Sequence, residues 1–314
     1  MPVPRGLLGG PGRRGRAVPV KIRIGLGTAA AGLDGPGMAG LAGDLADLGF
    51  DSLWLPEILS TPGLDPLVGL AWAAAAHPRL KVGTTMLLPG RHPLRLAKQV
   101  ASLDVLSGGR FLVTFVTGLA HGAERDAVGV APAERGGAVE EVLPLLRRLW
   151  SGEPVTYDGP AGRLDGVTLS PVPVQQPFDV WLGGVARASL ERCGRLADGW
   201  LPALCTPEDA RRGREVVEAS AAAAGRVVDP EHFGVSIGYA HRALPERAAA
   251  ALSARARGRP LDRLVPVGLP ALRELVEEYL DAGFSKFVVR PLEPPPAWRP
   301  ELEALAGALL DLQA

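Results

Sequence analysis

The stretch LKVGTTMLLPGRHP, Leu80 to Pro93, decides how the chain is read. It opens as a continuous apolar run, the pattern of a strand buried on both faces in a parallel sheet covered by helices. Two threonines and a methionine sit inside that run, and a Pro-Gly-Arg-His-Pro turn follows at once. A small polar pair inside such a strand, with a basic turn straight after it, needs a reason that burial alone does not supply.

The same rhythm repeats on either side. IRIGLG (22–27), SLWLPE (52–57), KVGTTMLL (81–88), FLVTFVTG (111–118), DVWLGG (179–184), GWLPAL (199–204), HFGVSIGYA (232–240) and FSKFVVRP (284–291) read as eight strands. Helical segments alternate with them: 37–49, 65–78, 92–109, 131–152, 186–198, about 206–224, 245–257 and 269–283, with one more closing the chain. Asp65 is an N-cap candidate with Pro66 at the first helical position. Right-handed crossovers leave an open doubly wound sheet or a closed barrel. Eight units in this length favour an α/β fold of the (β/α)8 TIM-barrel type. Residues 153–178 break the rhythm with Pro171, Pro173 and Pro177 and read as an inserted, turn-rich excursion. The expected organisation is a disordered tail over 1–20 and one domain over 21–314.

Composition bounds the function. Hydrophobic residues make up 47% of 314, and a chain of this size buries about 75% of its unfolded surface. Lysine plus arginine and aspartate plus glutamate both number 34, for a formal net charge of 0. No electrostatic footprint for nucleic acid stands out, so a small molecule is the expected partner. Cys193 and Cys205 have neither metal-type spacing nor the pattern of a secreted disulfide framework. The tail carries Arg13 and Arg14 but no apolar run of signal-peptide length, and no run of 18 apolar residues occurs, which reads as a cytoplasmic protein with no membrane span.

Barrel active sites lie at the carboxyl ends of the strands. The candidates there are Glu57; Thr84, Thr85 and Met86; Arg91 and His92; Thr117 and His121; Gly183 to Ser189; Tyr239, His241 and Arg242; and Arg290. Each has a plain structural alternative: Glu57 as a loop cap, His92 as a helix cap, Arg290 paired with an acid on the rim. In GGVARAS (183–189), two glycines free the backbone just before a helix start. That suits a phosphate or simply a tight turn. GVSIG (234–238) matches a hydrolase nucleophile elbow in letters, but the apolar pattern runs straight through Ser236, so that serine is expected inside a strand.

Several long segments, in order, point to a family. FDSLWLPE (50–57), KVGTTMLLPGRHPLRLAKQVASLDVLSGGR (81–110), GVAPAERG (129–136), LDGVTLSPVPVQQP (164–177), VWLGG (180–184), GRLADGWLP (194–202) and DAGFSKFVVRP (281–291) closely resemble the luciferase-like flavin and deazaflavin oxidoreductases. The nearest branch resembles the actinobacterial coenzyme F420-dependent enzymes. The resemblance implies F420, or FMN in other branches, at the carboxyl mouth of the barrel. It implies a cis peptide at Thr85-Met86 backing the flat ring, at a cost of about 3–4 kcal/mol; on that geometry Thr84 and Thr85 are expected at the ring's edge, and the turn carrying Arg91 is read, from its charge alone, as facing the anionic tail. It places the cofactor phosphate at Gly183, Gly184, Val185 and Ala186, and Glu57 beside the ring. Homodimers are common among such enzymes.

Two departures stand out. Ile58 occupies the position where many relatives have histidine, and Thr114 and Val116 replace glycines of the fourth strand. With Ile58 there, His121 and Glu57 are the available proton carriers. The expected activity is hydride transfer between the deazaflavin C5 carbon and a small organic substrate. The alternatives are an FMNH2-dependent monooxygenase, a cofactor-binding barrel without catalysis, and an aldolase-like phosphate-binding barrel.

Overall fold

The computed structural model describes residues 20–28, 32–60, 62–118 and 126–313. Strands β1 (Arg23–Gly27), β2 (Ser52–Pro56), β3 (Lys81–Leu87) and β4 (Phe111–Val116) come first. A hairpin of β5 (Val155–Gly159) and β6 (Gly162–Val167) follows, and then β7 (Val180–Leu182), β8 (Gly199–Trp200), β9 (Gly234–Tyr239) and β10 (Lys286–Pro291). Apart from the hairpin, these strands form one sheet in the order β8-β7-β4-β3-β2-β1-β10-β9, with every neighbouring pair parallel. The two ends of the sheet meet. Trp200 N–H donates to the His232 carbonyl and Ser236 N–H to the Pro202 carbonyl, both at 2.9 Å. The result is a nearly closed eight-stranded barrel, as the alternation of strands and helices predicts.

Both faces of the strands are covered, for different reasons. Ile24, Leu26, Leu53, Val82, Met86 and Val289 face outward into the main core beneath the helices. Inward, Trp54, Leu201 and Val288, with Leu112 and Trp181, form a separate cluster that fills the lumen. Neighbouring glycines make that filling possible. A Cβ on Gly83 would lie 2.5 Å from the Trp54 ring, and one on Gly199 would lie 2.4 Å from the Trp181 ring. Trp54 also spends its indole N–H inside the lumen, on the Ser52 hydroxyl at 2.9 Å.

The covering helices are α1 (Gly35–Leu48), α2 (Pro66–Ala76), α3 (Pro93–Ser107), α4 (Arg135–Trp150), α5 (Arg187–Leu196), α6 (Pro207–Ala223), α8 (Leu269–Asp281) and α9 (Trp298–Leu309). Their starts follow local chemistry. The Asp65 carboxylate accepts from the Leu67 and Val68 N–H groups, and Thr206 and Asp209 cap α6 reciprocally, each device satisfying donors that the first turn leaves free. One further helix, α7 (Glu246–Ala256), lies between β9 and α8. It stands on a satellite cluster of Ala240, Ala256, Leu264 and Val265, packed by Leu204 and Leu292. Ala240, Leu204 and Leu292 follow the carboxyl ends of β9, β8 and β10, so α7 belongs to the rim of the mouth.

The excursion differs from its turn-rich expectation by containing the β5–β6 hairpin. Val155 and Leu164 alternate with exposed neighbours and are themselves buried, a two-residue period too short to stand out among the flanking prolines. Beyond the hairpin the excursion is tied to α3, where the buried Asp104 accepts from the Gln175 N–H at 3.0 Å and side-chain amide at 2.6 Å. The tail over 1–19 lies outside the described residues. Among those described, no helix is long and apolar enough to cross a membrane.

The tryptophan–glycine fit can be measured. Gly83→Ala forces a methyl group into the buried Trp54 ring and is expected to destabilise the protein by about 1–3 kcal/mol, the usual cost of overpacking. Urea unfolding of the variant checks it; an unchanged midpoint would show that Trp54 has room to move.

Candidate functional site

The lumen is filled below, so space for a ligand lies at the carboxyl ends of the strands. Glu57 follows β2, and its backbone N–H extends the ladder to the Thr85 carbonyl at 2.8 Å. Its side chain is only 2% exposed. One carboxylate oxygen accepts from the Leu87 N–H at 2.8 Å, and the other is bonded to the Arg91 guanidinium. Arg91 Nε also donates to the Leu87 carbonyl at 2.8 Å. The Pro-Gly-Arg-His-Pro turn therefore folds back onto its own strand and grips the acid. The sequence reading sent Arg91 toward a cofactor tail; its guanidinium is instead engaged by Glu57, a contact between strand ends that sequence separation hides.

Burial raises the Glu57 carboxyl above the ordinary glutamate value; the Arg91 charge and the Leu87 N–H work against this, and burial wins. A carboxyl in that state can hold or release a proton nearer neutrality than an exposed one.

The three residues of β3 separate by parity. Thr85 lies on the lumen face, in register with Thr114 of β4. Thr84 and Met86 are fully buried on the opposite face. The Thr84 hydroxyl is spent on the Leu55 carbonyl at 2.8 Å, and Met86 packs in the main core. The hydroxyl contact expected from Thr84 is corrected accordingly, since successive side chains of a strand point to opposite faces.

The cis peptide is corrected as well. Among the described residues the cis bonds are Ser170–Pro171 and Gln176–Pro177. Thr85–Met86 is trans, and the ladder to β4 continues unbroken through Thr85, Met86 and Leu87.

Thr114 and Val116 do crowd the lumen side of β4, and β7 accommodates them. A Cβ on Gly183 would lie 2.7 Å from a Val116 methyl, so the glycine makes room for the valine. The Thr114 hydroxyl is buried and has no hydrogen-bond partner, which leaves one polar atom beside Thr85 unsatisfied.

The glycine turn after β7 has the form of an anion seat. Gly183 N–H is used by the Phe115 carbonyl at 3.0 Å, and the Gly184 carbonyl accepts from the Trp200 indole at 2.9 Å. Gly184 has φ +102°, a conformation that side chains disfavour. Among the described residues, the N–H groups of Gly184, Val185 and Ala186 meet no backbone acceptor. Ala186 is the N-cap of α5 and brings no capping side chain, so the positive helix end stays open. A cavity of about 160 Å³ opens beside the turn, lined by Val185, Leu190, Trp200, Cys205 and Arg212 among others. It is smaller than the roughly 300 Å³ at which small-molecule pockets begin, so it suits a tail group and not a tricyclic ring.

Other candidates fall elsewhere. His92 is the N-cap of α3 without a side-chain hydrogen bond. Tyr239 and His241 both bond to Glu301, and Arg242 pairs with Glu293 at 3.3 Å. Ser236 lies inside β9 with no helix at once behind it, which removes the nucleophile elbow. His121 lies outside the described residues.

A family model described as luciferase-like monooxygenase matches residues 20–283. The chain belongs to the luciferase-like monooxygenase family. Two relatives show its breadth. The chain is 31% identical over 175 residues to an F420-dependent glucose-6-phosphate dehydrogenase of Kineococcus radiotolerans, covering 52% of this chain and 51% of that one. It is 32% identical over 184 residues to an FMNH2-dependent dimethylsulfone monooxygenase of Pseudomonas putida, covering 57% and 49%. The chain thus spans about half the length of these relatives. Among solved structures, an F420-dependent secondary alcohol dehydrogenase in complex with an F420-acetone adduct superposes with TM-score 0.77 at 18% identity, covering 94% of this chain and 100% of that one. That likeness establishes the luciferase-like barrel fold.

The raised carboxyl gives a prediction with a definite sign. Native Glu57 binds its proton more tightly than the unfolded chain does, so stability is lost as pH rises from the ordinary glutamate value through the raised one. Glu57→Gln is uncharged throughout. Its unfolding free energy should therefore gain on that of the wild type as pH rises across this window; a constant difference in urea titrations would mean the carboxyl is not shifted.

Proposed function

We propose that this chain is a two-electron oxidoreductase that binds coenzyme F420 at the carboxyl mouth of its barrel and acts on a small organic substrate. Family membership supports the coarse reading, an oxidoreductase of the luciferase-like class. The observation that carries the finer one is Glu57, a buried carboxyl with a raised pKa beside the lumen face of β3, where hydride transfer to or from a carbonyl carbon needs a proton donor or acceptor.

When bound, the deazaflavin supplies the carbon that carries the hydride. The open N–H groups of Gly184, Val185 and Ala186, at the start of α5, are assigned to the cofactor phosphate. The unsatisfied Thr114 hydroxyl lies between that turn and Thr85, so the lumen face from β7 to β3 is assigned to the ring. Thr84 and Met86 take part only through the backbone. Arg91 orients Glu57 and keeps its carboxyl aimed along the rim. His121 remains a second proton carrier by assignment.

The alternative is an FMNH2-dependent monooxygenase, supported by the likeness to the FMNH2-dependent dimethylsulfone monooxygenase of Pseudomonas putida. A deazaflavin reacts poorly with oxygen, because a carbon replaces the reactive nitrogen of a flavin. The two readings therefore part on cofactor preference and oxygen use.

Fluorescence titration of the purified protein with F420 and with FMN tests the assignment. Binding of F420 at least tenfold tighter than FMN is expected; tight FMN binding with oxygen uptake on reduction would replace F420 with the flavin reading. Gly184→Ala strains a turn held at φ +102° and is expected to weaken the bound cofactor at least tenfold, while Ile58→Ala, on an exposed side chain, leaves affinity within about twofold.

A further inference from the structure

Arg290 is the penultimate residue of β10. It shares the lumen face with Val288, because a Cβ built on Gly27 of β1 would meet a Val288 methyl at 3.0 Å and the Arg290 Cβ at 3.4 Å. In the ladder it stands opposite Gly238 of β9, so glycines flank it on both neighbouring strands, and the Leu292 side chain lies over Gly238, 2.7 Å from where a Cβ there would sit.

Its guanidinium is an exception in this protein. Arg23, Arg110, Arg135, Arg147, Arg214 and Arg226 are likewise not fully exposed, and each spends its guanidinium on carbonyls or carboxylates. Arg91, Arg192, Arg259, Arg263 and Arg273 are anchored in ion pairs. Among the described residues, Arg290 is the half-buried arginine with neither a hydrogen bond nor an ion pair.

Acids on that part of the rim are engaged elsewhere: Glu293 with Arg242, and Glu301 with Tyr239 and His241. The acid pairing that the sequence allows for Arg290 is therefore not made. What lies near it is a second cation. Burial, and then the Arg255 guanidinium of α7, push the Arg290 pKa below the usual arginine value. Arg255 is exposed, and it too has no partner among the described residues.

A buried charge is costly unless paired, and two neighbouring guanidinium groups raise that cost. Their neighbours along the chain, Ala256 of α7 and Leu292 after β10, share the satellite cluster, which brings the two elements together. We propose that Arg290, with Arg255 of α7 near it, is the seat for an anionic group of the substrate: a phosphate, sulfonate or carboxylate that the planar fork of Arg290 grips with two parallel hydrogen bonds. The seat lies across the mouth from the glycine turn, since β10 is separated from β7 by β8 and β9 around the closed side. One anion therefore belongs to the cofactor at β7 and a different one to the substrate at β10. The inference takes the mouth as the active site, as the proposed function does, and narrows the substrate to an organic anion.

Sulfate is the probe. The thermal midpoint of the wild-type protein should rise with sulfate concentration beyond the effect of chloride at equal ionic strength. Arg290→Gln should weaken the apparent sulfate affinity at least tenfold, and Arg255→Gln should weaken it about threefold. Sulfate held at the glycine turn is common to all the proteins and cancels in the comparison. Affinities for F420 and FMN, measured by fluorescence on the same variants, should stay within twofold of wild type. An unchanged sulfate response in R290Q would overturn the seat, and a tenfold loss of cofactor affinity in R290Q would reassign the arginine to the cofactor tail and overturn it equally. Should R290Q fail to fold, Arg290→Lys keeps the charge and loses the fork; its sulfate affinity is expected to drop at least threefold, and equality with wild type counts against the proposal. A protein that binds neither cofactor but still shows an Arg290-dependent sulfate response would keep the seat and discard the cofactor assignment.

Discussion

Two indole rings packed against glycine backbone hold this protein's geometry. An eight-stranded barrel has an interior just wide enough for side chains to fill. Here Trp54 and Trp181, with Leu112, Leu201 and Val288, fill that interior, and the two rings fit because Gly83 and Gly199 beside them carry no side chains. Aromatic burial of this kind dominates core energetics. It also closes the lumen below Thr85 and Thr114, so any ligand must lie at the carboxyl ends of the strands. The location of chemistry is thus a consequence of how the interior is packed.

On that floor the mouth is organised by charge. The acid on β2 is desolvated and held by Arg91; the turn after β7 presents open N–H groups at a helix start; the last strand presents an arginine without an acid. No two of these features come from the same strand. Each is modest alone, because a buried acid, a glycine turn and a rim arginine all occur as ordinary structural features. Their placement around one opening, above a filled lumen, makes them the candidate site. The electrostatic logic is consistent: the acid is already neutralised in part by Arg91, while the positive features at β7 and β10 remain unspent.

Membership of the luciferase-like family fits this layout, and the family's breadth explains what it leaves open. One fold hosts many chemistries, and function is decided at the site. Relatives at closely similar identity carry F420-dependent and FMNH2-dependent names, so likeness does not choose between them. The expected cis bond at Thr85–Met86 shows a limit of carrying features across by resemblance. The motif around it is present, yet β3 runs as a regular strand, paired residue for residue with β4.

Much of the fold was legible in the chain. Eight apolar runs, the helix start at Asp65-Pro66, and helices ending near Gly49 and Gly108 are local signals, and the structure keeps them within a few residues. The glycine turn and Glu57 were legible for the same reason, since strand ends in an alternating pattern can be counted along the sequence. The hairpin inside 153–178 was not, because its short alternating strands lie among prolines. The facing of Thr84 against Thr85 was not, because parity needs to know which side of the strand is the lumen. By itself, the sequence determined the alternation, the barrel and the strand ends where chemistry gathers, all of which follow from short-range hydrophobic period and turn chemistry. That Arg91 belongs to Glu57, that Gly83 makes room for Trp54 and that Arg290 meets no acid among the described residues became visible in the folded barrel alone, because these relations join residues from different strands and exist once the sheet has closed on itself.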